Sequence, residues 1–206
     1  MKTPTQNSKT GNPRALRGGA RVLTVVLAVT LLNVFSAGCS DNGGGGGIVT
    51  DPCIEFSASV IAAPGAVVAL NGADSSCNLM VVEVVVTQVD DLFGASFVVR
   101  YPSDLASFGT ASGLGSVLAS DGAAVEVLAE ETVAGEVTIG LTRLATTGVN
   151  VGAPSLLARL SFIRRAVEEG SGSLGFTSAS LLDSSDPPQQ IPGIVWTGGT
   201  VRVTVN

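Results

Sequence analysis

A chain of 206 residues has room for a leader and one domain of about 150 residues around a single core. It contains no histidine, which excludes Ser-His-Asp and Cys-His nucleophile arrangements, histidine general bases and histidine-ligated zinc. Five of the eleven basic residues precede residue 22, and the other six, all arginines, share the rest of the chain with all seventeen acids, an acidic balance that argues against a nucleic-acid partner.

The N-terminal stretch carries Lys2, Lys9, Arg14, Arg17 and Arg21, then an apolar run of 13 from Leu23 to Phe35, then Ser36-Ala37-Gly38-Cys39. A charged region, a short apolar region and small residues before a cleavage point describe a secretory signal over residues 1–38. Thirteen helical residues span about 20 Å, short of the roughly 30 Å hydrocarbon core, which argues against a permanent span. The small-small-Cys ending resembles the lipobox of bacterial lipoproteins, which implies Cys39 as the acylated residue. Ser36 stands where that family usually has Leu, Val or Ile, and ordinary signal peptidase would cut at the same bond, so plain secretion is the alternative. Ser40-Asp41-Asn42 and Gly43 to Gly47 follow, so residues 39–47 read as a flexible tether. The expected result is an exported protein, held at a bacterial membrane through an acyl anchor only, at the cell surface or in the periplasm. With Cys39 in the lipobox, Cys53 and Cys77 remain as an even pair. In an exported domain such a pair usually forms a disulfide, and two buried thiols are the alternative.

Residues 48–206 form the domain. Ile54, Phe56, Ala58 and Val60 alternate with polar residues as a first strand, Pro64-Gly65 turns, and Ala66 to Leu70 form a second. Leu79 to Val89 is a long β-branched run expected as a central strand, with Asp90-Asp91 turning out of it. From Gly94 to Tyr101, Ala95, Phe97, Val99 and Tyr101 fall on one side and Ser96, Val98 and Arg100 on the other. Pro102 stops that strand, and Leu105 and Phe108 fold back as an apolar flap. Ala124–Leu128 and Glu136–Leu144 are strands about a Glu130-to-Gly135 connection, and Thr146 to Pro154 is a loop. Leu156, Ala158, Leu160 and Phe162 face one way in the next strand, and Arg164-Arg165 end it in solvent or meet an acidic partner. Strands at Leu174–Leu182, Ile194–Trp196 and Thr200–Val205 complete nine or ten, with no convincing helix. Such spacing argues an all-β sandwich.

The pattern at Gly94, Phe97, Val99 and Tyr101, followed by Pro102, Asp104 and Leu105, resembles the third-strand region of cohesin modules. Leu156–Phe162 resembles that family's late strand, and Ser178–Asp183 and Gly198–Val203 its last two. The resemblance covers most of residues 54–205 and implies a jelly-roll β-sandwich of about nine strands, close to that of carbohydrate-binding modules. It implies a non-catalytic module without a cofactor that recognises a protein partner, dockerin-like or other, through a sheet face. Gly94 and Ser96 stand where many cohesins carry Asn and Asp. The candidate contact residues are Gly94, Ser96, Glu126 and Thr138. The alternative is polysaccharide binding, for which exposed coplanar aromatics would be needed; only 4% of residues are aromatic. Trp196 reads as core, or as a sugar-stacking ring. Asp90-Asp91, Glu130-Glu131 and Asp183/Asp186 read as solvated loop charges, since hard cations need six to eight oxygens.

Overall fold

The computed structural model of the chain describes residues 52–60 and 65–205. The leader, Cys39 and the glycine tether lie outside them, as does Pro64.

The described residues form thirteen strands, more than the nine or ten that the sequence pattern announces. In order they are β1 (Pro52–Ala58), β2 (Val67–Gly72), β3 (Leu79–Thr87), β4 (Val89–Leu92), β5 (Gly94–Arg100), β6 (Ala106–Ser112) and β7 (Val125–Val133). They continue with β8 (Glu136–Arg143), β9 (Val149–Val151), β10 (Ser155–Arg164), β11 (Gly170–Leu182), β12 (Val195–Thr197) and β13 (Gly199–Val205). A 3-10 turn, Val117–Ala119, lies between β6 and β7. A six-stranded sheet runs β1-β13-β11-β5-β8-β7, a five-stranded sheet runs β12-β2-β3-β10-β6, and β4 pairs with β9.

Alternation explains how the two sheets seal. Ala95, Phe97 and Val99 of β5, Tyr101 just beyond it, and Val137, Ile139 and Leu141 of β8 are buried on one side of the core. Met80, Val82, Val84 and Val86 of β3, with Ala158, Leu160 and Phe162 of β10, are buried from the other sheet. Period-two burial from both inner faces is the signature of a sandwich, and each such side chain contributes about 1.5–3 kcal/mol on leaving water.

Several boundaries differ from the sequence expectation, each for a local reason. The run Leu79–Val89 breaks at Gln88, whose φ of 55° ends β3. Val89 and Leu92 then pair with Val151 and Val149 in a separate two-stranded sheet, so Asp90-Asp91 sit within β4 rather than in a turn. The expected flap is a strand: Ala106 to Ser112 ladder onto β10 as β6, with only Leu105 tucked in before it. The Glu130-to-Gly135 connection shrinks to a tight turn, because β7 runs on to Val133 and Gly135 supplies a φ of 89°. In β10, a bulge between Leu156 and Ala158 lets Leu157 point inward and leaves Leu156 half-buried.

Two polar groups tie the sandwich together from inside. The Tyr101 hydroxyl donates to Glu131 Oε1 at 2.6 Å and accepts from the Phe108 amide at 3.2 Å, joining the ends of β7 and β6. Desolvation, then the bond to Glu131, raises the Tyr101 pKa above its ordinary value. Arg143 takes the last inward position of β8, is fully buried, and pairs with the half-exposed carboxylate of Asp121. Cys53 and Cys77 are bonded, and the Ile54 amide donates to the Cys77 carbonyl beside the bridge at 3.2 Å. Among the described residues, no helix is long and apolar enough to cross a membrane.

Candidate functional site

The strands β11, β5, β8 and β7 lie side by side, so their outward residues form rows across the sheet. One row reads Ser180, Ser96, Gly140, Leu128, and the next Ser178, Val98, Thr138, Glu130. A third runs Leu182, Gly94, Thr142, Glu126. Small side chains therefore floor the middle of the face, and larger ones rise toward β7. A shallow trough lined by Glu126, Leu128, Gly140 and Thr142 follows from that gradient. A Cβ added at Gly140 would meet no atom within 4 Å, while Leu128 beside it is 72% exposed.

Ser96, Glu126 and Thr138 thus come together on one exposed face, as the alternation implies. Gly94 does not join them as a contact. It is buried, and a Cβ there would come within 2.8 Å of the Leu141 carbonyl oxygen, so its role is to let β5 and β8 approach. The residues missed by sequence reasoning are Gly140, Leu128 and Glu130. A glycine between Ile139 and Leu141 within a strand was the available signal, since it leaves a dip on whichever face it occupies.

The two outer faces differ in how their polar groups are used. On the five-stranded sheet, Arg159 Nε donates to Glu83 at 2.9 Å and Ser161 Oγ accepts from the Thr110 amide at 2.9 Å. On the six-stranded sheet, Arg100 pairs with Glu136 at the far margin. Among the described residues, no hydrogen bond or ion pair engages the side chains of Glu126, Glu130 or Thr138.

The remaining candidates have structural employment. Trp196 is half-buried against Phe176 (4.8 Å) and Phe97 (6.1 Å), and every aromatic side chain among the described residues is buried or half-buried. Arg164 is not a solvated strand end, because its guanidinium donates to Asn78 Oδ1 and to the Ala166 carbonyl. Glu130 points outward while Glu131 turns to Tyr101, so that pair does not converge. Among the described residues, no group of three or more His, Cys, Asp or Glu side chains is placed to hold a metal ion.

Three aspartates fasten loops. The Asp91 carboxylate accepts from Ser184 Oγ (2.8 Å), the Ser184 amide (3.2 Å) and the Gly148 amide (3.1 Å), joining three segments distant in sequence. Gly148 must lack a side chain, since a Cβ would fall 2.4 Å from the Asp91 backbone. The Ser184 hydroxyl chiefly holds the Asp91 pKa below its ordinary 3.8; Arg143 does so for Asp121, and the Ser185 hydroxyl for Asp183. A carboxylate with a depressed folded pKa contributes stability that is present above its unfolded pKa and lost as pH falls through the folded value. The denaturant midpoint should therefore hold at neutral pH and drop below about pH 4, and Asp91→Asn should flatten that drop. An unchanged acid limb in Asp91→Asn would contradict this assignment.

Two solved structures share the arrangement of strands. One is a cohesin module from a family 33 glycoside hydrolase of Clostridium perfringens, with a TM-score of 0.50 and 12% identity over 68% of this chain and 96% of that one. The other is the second type II cohesin module of an adaptor scaffoldin from Acetivibrio cellulolyticus, with a TM-score of 0.51 and 11% identity over 74% of this chain and 91% of that one. The domain has the cohesin fold. No family model matches the chain, and no curated protein matches it by sequence. The cohesin-like pattern from Gly94 to Leu105 now has a physical role: Phe97, Val99 and Tyr101 are core, and Pro102 and Leu105 turn the chain from one sheet to the other.

Proposed function

We propose that this cohesin-like domain is a non-catalytic recognition module that binds a protein partner of the dockerin type through the outer face of β11, β5, β8 and β7. The observation that carries the reading is the unengaged polar rim of Glu126, Glu130 and Thr138 around the dip at Gly140. Side chains already paired within a surface have less to offer a partner, whereas free carboxylates beside an exposed Leu128 fit a rim and an apolar contact. The sheet provides room for an interface of about 800 Å² per partner. Polysaccharide binding lacks support here, because stacking on sugars requires an exposed aromatic platform.

The test is binding of the full chain to a panel of calcium-loaded dockerin modules. Glu126→Lys combined with Glu130→Lys should weaken binding to a basic dockerin and reduce its salt dependence. Glu136 is the wrong place for such a reversal, because it holds Arg100. Failure of every dockerin, together with retention on a glycan array, would overturn the protein-binding reading.

We further propose that the domain is exported and anchored by acylation of Cys39, on the support of the apolar run and Ser36-Ala37-Gly38-Cys39 in the sequence. A clickable fatty acid should label the wild type and not Cys39→Ala. Equal soluble release of both would contradict anchoring.

A further inference from the structure

Among the described residues, β7 is the last strand of the six-stranded sheet, with β8 on one side only. It is nine residues long, and a register shift between Glu131 and Val133 limits its regular part to Val125–Glu131. The Leu144 amide donates to the Ala124 carbonyl at 2.8 Å, and that pair is in register with Glu126↔Thr142, Leu128↔Gly140 and Glu130↔Thr138. In an antiparallel ladder, bonded pairs recur at every second residue. The peptide groups of Glu126, Leu128 and Glu130 are therefore spent on β8, and among the described residues those of Val125, Val127, Ala129 and Glu131 bond to no other strand, although β6 passes near that margin.

The side chains beside this unpaired ladder decide what can join it. Glu126, Leu128 and Glu130 stand exposed on the outer face in the order acid, apolar, acid. A second copy of the chain pairing antiparallel about Leu128 would set Glu126 against Glu130 twice, and like charges directly opposite are destabilising. A strand with a cation at each of those places would gain two opposite-charge pairs and an apolar contact with Leu128. We propose that the edge of β7 takes up, as an added antiparallel strand, an extended partner segment of the pattern basic-x-apolar-x-basic. Main-chain bonds to Val125–Glu131 would supply the docking, and Glu126, Leu128 and Glu130 the selection. This goes beyond the face reading, since it uses the backbone of the edge and stands whichever partner the face takes.

The probe is the capped peptide Thr-Lys-Thr-Val-Thr-Lys-Thr, titrated into the full chain by NMR. Its third and fifth residues place their N–H groups toward β7, and its central valine places its own away. N-methylation at residues three and five should abolish binding, while N-methylation at the valine should leave it within about twofold. Glu126→Lys with Glu130→Lys should weaken the lysine peptide by at least about tenfold and admit the glutamate counterpart instead. Binding indifferent to the position of methylation would mean that charge alone attracts the peptide, and would overturn the proposal. So would the absence of any shift at β7 amides up to millimolar peptide.

Discussion

Truncation of Phe97 to alanine is expected to destabilise the domain by about 3–5 kcal/mol, through lost transfer energy and the cavity left behind. The ring is 1% exposed at the centre of β5 and lies edge-on to Phe176 at 5.5 Å, with Trp196 tilted beside it at 6.1 Å. Three aromatic side chains from three strands meet there, so the cavity cannot close by moving one neighbour. Urea unfolding should show a lower midpoint at an unchanged slope. Val98→Ala, one residue away on the half-buried outer face, should cost far less. Equal losses at the two positions would mean that the faces of β5 are inverted, with every inward assignment on the strand wrong.

The second large effect is expected at Cys53 and Cys77. Their bond joins positions 24 apart and fastens β1, the margin of the six-stranded sheet, to the approach to β3. On the chain-entropy model a loop of that length contributes about 3 kcal/mol, so the double variant Cys53→Ala/Cys77→Ala should lose about that much. Reductant should lower the wild-type midpoint to near that of the variant and leave the variant where it was. Wild-type protein indifferent to reductant would contradict a bond that stabilises the domain.

Much of this architecture was legible because period-two alternation is a local signal. Gly94 to Tyr101 announces its faces without help from the rest of the chain, and the structure buries the residues that alternation assigns to the core. Where the structure departs from the local pattern, the deciding interaction is distant. Nothing in the apolar continuity of Leu79–Val89 reveals that Gln88 adopts a positive φ, because the pairing of β4 with β9 depends on residues some sixty positions later. Phe108 reads as a flap in the sequence for the same reason: a strand at a sheet edge is defined by its partner, here β10. The candidate face was legible in part. Parity put Ser96, Thr138 and Glu126 outward, but register across three strands was needed to set Gly140 beside Leu128. Spacing does not distinguish a glycine that opens a surface from one that, like Gly94, lets two backbones close up.

Docking of partners on the face around Gly140, as proposed, can be blocked by one substitution. Gly140→Arg tests it most directly, since the new side chain starts in open space and fills the dip without displacing any atom within 4 Å of its Cβ. Titration calorimetry of the full chain against a calcium-loaded dockerin that binds it should show affinity lowered by at least about thirtyfold in Gly140→Arg, the loss expected of a hot-spot contact. The melting temperature should not fall, and Thr110→Arg on the opposite sheet should bind as wild type does. Unchanged affinity in Gly140→Arg, or an equal loss in Thr110→Arg, would contradict the assignment of the binding surface.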